Sequence, residues 1–360
     1  MSRWPDQRIL DLFNIELPIV QAPMAGAGTS QLAIAVSEAG GLGSLPCGQM
    51  TVAQAREAMD TTCRGTSRSI NINFFCHEAP SLDGDRVAAW RARLAPYYAE
   101  HGLDPAAQIP AANRNPFDAE YCTIVEDYKP QVVSFHFGLP DRSLLERVKA
   151  AGAKVISSAT TVAEARWLED RGCDAIIAQG LEAGGHRGNF LTHDMATQIG
   201  TFVLVPQIAD AVHVPVLAAG GIADARGIVA AFALGAAAVQ IGTAYLYCPE
   251  AHVSALHLQA LRNAADDATM ITNVFTGRPA RGIVNRMMRE LGPISSYAPA
   301  FPLAAGALAP LRASAERSHS GDFTNLWSGQ AARLAREMPA AELTRLLARE
   351  ALQQLRQGDS

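Results

Sequence analysis

The chain is 360 residues long, with 30 Lys+Arg against 35 Asp+Glu for a net charge of −5, and it is 49% hydrophobic and 18% charged with 29 glycines. This is the composition of a compact α/β enzyme: it excludes a disordered chain, and no basic stripe favours nucleic acid. The first residues carry no apolar signal-peptide core, and no later run reaches membrane-spanning length without turn residues. The six cysteines are scattered without a C-x-x-C pair, so the expectation is a cytoplasmic protein with neither a disulfide framework nor a zinc site.

Apolar runs of strand length alternate with helical patterns from near the start. Residues 19–24 read as the first strand, followed by a glycine-rich turn and a helix over 30–39. Residues 42–46 form the second, with Thr51 capping a helix through residue 62, and 69–75 the third. Two helices, near 85–101 and 117–128, precede the fourth strand at 132–138. A helix over 141–151 leads to the fifth at 155–158, and one over 161–171 to the sixth at 175–178. The seventh and eighth are 214–221 and 238–243.

Eight strands alternating with helices over about 250 residues predict an α/β fold, a (β/α)₈ TIM barrel. A doubly wound sheet is the alternative, but no G-x-G-x-x-G opens an early helix. The barrel is expected to take residues 1–264. Residues 265–360 are expected to form a C-terminal extension packed on it, with substrate-side loops and terminal helices, because they show no complete core pattern of their own. Within them, 278–289 reads as a basic helix-like piece and 330–356 as one or two amphipathic helices.

The sixth strand runs into Gln179-Gly180-Leu181-Glu182-Ala183-Gly184-Gly185-His186-Arg187-Gly188. A strand end carrying an amide, paired glycines and an imidazole is where a barrel keeps its chemistry, since glycine permits close backbone approach and histidine moves a proton near neutral pH. A plain glycine turn whose histidine caps the next segment is the competing reading. The seventh and eighth strands also end in glycine, Gly220-Gly221 and Gln240-Ile241-Gly242-Thr243. Loops after adjacent late strands form phosphate sites from bare N–H groups, and Thr243 adds a hydroxyl. Two ordinary tight turns are the alternative. Ala22-Pro23-Met24 at the first strand offers a flat face for a planar ring, and Asn73 and Gln179 offer amides to it. Each alone is an unexceptional loop residue; together they suggest a phosphorylated, ring-bearing cofactor, and FMN fits better than a dinucleotide.

The set Gln21-Ala22-Pro23-Met24, Ser134-Phe135-His136-Phe137-Gly138, Glu182-Ala183-Gly184-Gly185-His186, Gly220-Gly221-Ile222 and Gln240-Ile241-Gly242-Thr243 resembles the nitronate monooxygenase family, formerly the 2-nitropropane dioxygenases. Phe275-Thr276-Gly277-Arg278-Pro279-Ala280-Arg281 and Leu326-Trp327-Ser328-Gly329-Gln330 extend the likeness. Type II enoyl-acyl-carrier-protein reductases and some NADH:quinone reductases share the barrel, the FMN and the Ala-Gly-Gly-His turn; the Ser-Phe-His-Phe-Gly block points to the monooxygenases. The resemblance implies FMN contacts at Asn73, Gln179, Gly184, Gly221 and 240–243. It makes His186 the histidine beside the flavin and His136 a second catalytic imidazole. Lys129, Lys149 and Lys154 are the only lysines, none in the extension, so Tyr297, His136 and His186 are left to meet an anionic substrate.

The expected reaction is oxidation of alkyl nitronates, such as propionate 3-nitronate, by O₂ to a carbonyl product and nitrite. The nitronate is already an anion, so the site needs donors or positive charge more than a strong base; with neutral nitroalkanes His186 would take the α-proton. The rivals are an FMN-dependent enoyl or quinone reductase using NAD(P)H and a flavin-binding module without turnover. The partners expected are the small-molecule nitronate and O₂, with no nucleic acid and no membrane, and homodimerisation is left open.

Overall fold

A computed structural model describes residues 4–81, 83–106 and 115–358. Eight parallel strands build the central sheet: β1 (Ile19–Gln21), β2 (Gly43–Pro46), β3 (Ile70–Phe75), β4 (Val132–His136), β5 (Lys154–Ala159), β6 (Ala175–Gln179), β8 (Val216–Ala219) and β9 (Ala238–Ile241). Their order is β1-β9-β8-β6-β5-β4-β3-β2. A parallel bridge between Val20 and Leu42, with the Gln21 N–H donating to the Leu42 carbonyl at 2.9 Å, brings the two ends together. The expected TIM barrel therefore forms. Its strands are almost wholly buried, which is why they read as continuous apolar runs rather than alternating ones.

Val20, Leu42, Val132, Ile156 and Leu217 fill the barrel interior, and the helix Arg8–Phe13 packs Ile9 and Phe13 against them. Since Val132 opens β4 and Ala175, in the same cluster, opens β6, this helix plugs the N-terminal end. Open space is left at the other end, where the strands run out into loops. There the strands expected at 19–24, 132–138, 214–221 and 238–243 end two or three residues earlier. Pro23 lacks an N–H for the ladder, and Phe137, Gly138, Gly220 and Gly221 have positive φ that bends the chain out of the sheet. The helix Val52–Gly65 begins as expected, with Thr51 in a reciprocal capping box with Gln54.

A second sheet of three antiparallel strands lies beyond the barrel: β10 (Thr269–Thr272), β11 (Ala280–Ile283) and, at its inner edge, β7 (Gly185–His186). This corrects the helix expected over 278–289: β11 occupies its middle, and only Arg286–Glu290 is helical. The basic residues misled because two face inward. Arg281 is buried and donates from Nε to the Leu181 carbonyl at 2.9 Å; Arg278 donates to the Asn189 carbonyl.

The helix Ala340–Gly358 differs from expectation in its place. Leu343, Leu347, Ala348 and Ala351 belong to the barrel's own core. The helix packs between Ala225–Ala233, which follows β8, and Ser30–Glu38, which follows β1. Its Thr344 hydroxyl lies 2.8 Å from that of Tyr245, and Glu250, in the loop after β9, accepts its Ala340 N–H at 3.1 Å. It is the eighth helix of the barrel. The segment 265–339 lies in the chain between the last barrel strand and this helix. It has a core only with a loan from the barrel: Trp90, Leu94 and Tyr97 of the helix Gly84–Glu100 pack with Val274, Leu308 and Leu311.

Candidate active site

A cavity of about 520 Å³ occupies the C-terminal mouth of the barrel, roofed by the insertion. That is the size class of cofactor and small-molecule sites. Ala22, Pro23, Met24, Asn73, His136, Gln179, Gly184, His186, Gly220, Gly221, Gln240, Gly242 and Thr243 all line it, as do Trp327, Ser328 and Gly329 from the roof. Two expected residues, Ile241 and Tyr297, do not, nor does Gln21 of the first strand. Ile241 is fully buried in the barrel wall, and its carbonyl receives the Ala22 N–H at 2.8 Å. Gln21 is turned into the barrel, where its side-chain oxygen accepts the Ser44 N–H at 2.8 Å. Tyr297 is 42% exposed, with the Arg93 guanidinium over its ring at 4.3 Å, and is no part of the lining.

His186 is carried by the short strand β7, whose partner Ala280 sits opposite it on β11. The turn before it depends on Gly184: a Cβ there would lie 2.5 Å from the Gly329 nitrogen, so roof and turn meet backbone to backbone. The His186 ring is walled by Phe301 and Trp327, at centroid distances of 5.3 and 5.5 Å, and by Phe137 at 6.1 Å. Its Nε2 lies 3.0 Å from the Thr276 hydroxyl, which is 3.3 Å from the Arg278 carbonyl. The single Thr276 proton serves one of the two: when it donates to the Arg278 carbonyl, Thr276 accepts from His186 Nε2–H and the basic nitrogen of the neutral ring is Nδ1.

His136 and Gln179 do different work from that expected. His136 places Nε2 3.2 Å from the His186 carbonyl and Nδ1 3.0 Å from the Ser158 hydroxyl. The carbonyl fixes Nε2 as the donor, so Ser158 donates to Nδ1. Burial, reinforced by the Arg278 guanidinium, pushes the His136 pKa down to about 3. The ring is neutral at working pH and cannot provide the positive charge assigned to it from sequence. Gln179 donates to the same His186 carbonyl at 3.0 Å and accepts the Gly188 N–H at 2.7 Å, so its amide ties down the turn. The depressed pKa has a measurable consequence. Between about pH 6.5 and pH 3 the unfolded chain binds a proton here that the native state refuses, so this contribution is complete above pH 6.5 and is lost as pH falls. Urea midpoints should drop between pH 7 and pH 5 in the wild type, and drop less in His136→Gln.

On the same cavity, Gly221 sits at φ +72° and Gly220 at +110°, and Gly242 leads into the 3₁₀ turn Thr243–Tyr247. The Thr243 oxygen accepts the Gly329 N–H at 2.9 Å, which leaves its own proton to donate. Gln240 presents a buried side-chain oxygen with no donor among the described residues. Bare N–H groups at a glycine pair, a helical first turn and an unmatched acceptor on the same cavity fit a phosphorylated flavin: the first two take phosphate oxygens, and the acceptor takes a cofactor N–H or O–H. Arg312 is the one lysine or arginine lining the cavity among the described residues.

Sequence reasoning missed the residues behind the lining. Arg187 is fully buried, its pKa lowered to about 10 by desolvation with the Arg281 charge adding to it, and its Nη groups donate to the carbonyls of Gly180 and Gln179 at 2.7 and 2.8 Å. Thr276 and Arg278 belong to the stretch that carries the resemblance, and Glu164 gave no signal, nor did Ser158, which lies on the cavity itself.

A closed parallel barrel whose C-terminal mouth holds a cavity, lined by glycine-rich strand ends and an imidazole, defines an α/β-barrel enzyme. The chain belongs to the nitronate monooxygenase family of flavin-dependent oxidoreductases, whose sequence profile matches residues 6–350. It is 41% identical over 355 residues to a nitronate monooxygenase of Paraburkholderia phytofirmans, covering 97% of each chain. It is 41% identical over 350 residues to that of Pseudomonas aeruginosa, covering 95% of this chain and 98% of the other. Among solved structures it is similar to nitroalkane oxidase from Streptomyces ansochromogenes, with a TM-score of 0.88 and 39% identity over 98% of this chain and 100% of that one. FabK from Thermotoga maritima is more distant, with a TM-score of 0.73 and 28% identity over 100% and 99%.

Proposed function

We propose that the protein oxidises alkyl nitronates with bound FMN and O₂, giving a carbonyl product and nitrite. The observation that carries this reading is the placement of His186, its Nε2 3.0 Å from the Thr276 hydroxyl, in an aromatic enclosure on the same cavity as the glycine-rich strand ends. The barrel, residues 1–264 with the last helix, holds the cofactor, and the inserted segment closes the substrate side. Backbone N–H groups at 220–221 and 242–243 bind the phosphate, and Gln240 accepts from the cofactor. Asn73 Nδ2 is held by the Ser134 carbonyl and hydroxyl at 3.1 and 3.0 Å, which turns its oxygen toward the ring. FMN, when bound, supplies the electron acceptance and the oxygen chemistry. His186 donates a hydrogen bond to a nitronate oxygen, or takes the α-proton of a neutral nitroalkane at Nδ1. Phe137, Phe301 and Trp327 keep water from that proton. Both substrates are small molecules, and the functional unit is a monomer or a homodimer.

The decisive experiment is O₂ consumption and nitrite release by the purified flavoprotein with propionate 3-nitronate, against anaerobic bleaching by NADPH followed by crotonyl thioester. Steady O₂ uptake supports the reading; fast bleaching with enoyl turnover would make the protein a reductase, and neither would leave a binding module. The cofactor has its own test. Gly221→Asp would add a carboxylate where the phosphate sits, at a φ of +72° that L side chains rarely adopt. That variant should purify colourless, and full flavin absorbance would move the phosphate elsewhere.

A further inference from the structure

Behind the His186 turn runs a polar chain that never reaches the cavity. Arg187 Nε donates to Gln198 Oε1 at 3.0 Å, Gln198 Nε2 donates to Thr160 Oγ1 at 2.9 Å, and the Thr160 hydroxyl donates to Glu164 Oε2 at 2.7 Å. All four residues are buried, Arg187, Thr160 and Glu164 with no exposed surface. A guanidinium can only donate and a carboxylate only accept, so the directions of the two neutral links are forced. The chain is polarised from cation to anion. Its two ends hold the active-site turn from opposite sides. Arg187 grips the carbonyls of Gln179 and Gly180 where β6 stops. Glu164 Oε1 accepts the N–H groups of Phe190 and Leu191, at 2.6 and 3.2 Å, where the turn ends. His186 lies between the grips.

We propose that Glu164 and Arg187 are a positioning pair, a buried carboxylate and a buried guanidinium joined by hydrogen bonds through Thr160 and Gln198, that fixes the backbone carrying the active-site imidazole. Glu164 has to be a carboxylate. Four donors converge on it: the Thr160 N–H at 2.7 Å, the Thr160 hydroxyl, and the N–H groups of Phe190 and Leu191. An amide in its place would turn an NH₂ toward two of those donors whichever way it faced. Arg187 is buried without a directly bonded carboxylate, and the charges of Glu182 and, more weakly, Glu164 favour its cationic form. Arg278 adds a third grip, through the Asn189 carbonyl. The pair touches neither substrate nor cofactor and acts through the turn.

This inference rests on the reading of His186 as the active-site imidazole, so its first readout is independent of turnover. In the flavin-loaded enzyme, Glu164→Gln and Thr160→Val are compared with wild type by amide hydrogen exchange over residues 186–191 and over β3, and by kcat and KM for propionate 3-nitronate. Thr160→Val keeps the shape and the N–H to Glu164 while cutting the relay, so it tests the proposal even if Glu164→Gln does not fold. Both variants should exchange 186–191 at least 10-fold faster with β3 unchanged. Displacement of a reacting group by a fraction of an ångström should lower kcat by about 10- to 100-fold, with KM within about 3-fold of wild type. Unchanged exchange at 186–191, or acceleration spread equally over β3, would overturn the pair as a local positioning device. A loosened turn with undiminished kcat would overturn its link to catalysis. A wild type inactive on nitronates would instead remove the functional reading and leave the exchange result standing.

Discussion

His186→Asn is expected to lower the turnover of neutral nitroalkanes by roughly 100-fold or more, the usual size of a general-base contribution, and that of nitronates by less. The turn itself should survive. It is fixed by contacts to backbone, the His186 carbonyl receiving Gln179 and His136 and the flanking N–H groups reaching Gln179 and Glu164. Asparagine can keep a donor toward Thr276, but it brings no titratable nitrogen. A nitronate arrives deprotonated and loses only a hydrogen-bond partner; a nitroalkane loses the base. Steady-state rates on a nitroalkane and its preformed nitronate, measured on protein of equal flavin content, give the comparison. Equal losses would mean that the imidazole positions or stabilises charge, and no loss on either would sink the assignment of His186. The comparison requires a wild type that accepts nitroalkanes.

Gly184→Ala should do most damage per atom added. The new methyl would stand 2.5 Å from the Gly329 nitrogen and 2.6 Å from the Ser328 carbonyl carbon, and backbone cannot rotate away as a side chain would. The strap at 328–330 must lift. With it go the Gly329 N–H to Thr243 and the Gln330 N–H to the Glu182 carbonyl, 2.9 and 3.0 Å long. Overpacking of this kind costs about 1–3 kcal/mol in stability. The larger effect should be loss of flavin, because Thr243 belongs to the proposed cradle. Gly185→Ala is the control: nothing lies within 4 Å of its Cβ, and only its φ of +72° opposes it, at a cost of about 1 kcal/mol. Flavin absorbance and melting temperature should both fall far more in the first variant than in the second.

The barrel was legible because buried parallel strands leave uninterrupted apolar runs, and the place of Gly220, Gly221 and Gly242 on the cavity because they close two neighbouring strands. What a strand-end side chain faces was not. Gln179 was read as a ring contact, but its amide is spent on the His186 carbonyl and the Gly188 N–H, partners set by a turn whose path no local pattern encodes. Arg187 was given no role from sequence, and only the fold shows that two strand-end carbonyls and Gln198 surround it. His136 was rightly placed on the cavity, but its charge state follows from burial and from Arg278, far along the chain. The last helix was recognised as amphipathic; its apolar face says that it docks, not where.

Its place between helices from the two ends of the barrel sets an order on biosynthesis. When the ribosome has delivered residue 339, all eight strands exist but the wall between Ser30–Glu38 and Ala225–Ala233 lacks its helix. Those contacts span some of the longest sequence separations in the molecule and carry the slow loop closure that goes with them. The inserted roof is made before the wall beneath it is sealed, tied to the barrel through β7 on one side and Gly84–Glu100 on the other. Nascent chains arrested short of the 19 residues 340–358 should therefore hold a protected roof over an exchange-labile β1–β9 seam. Release of those residues would then act as the latch.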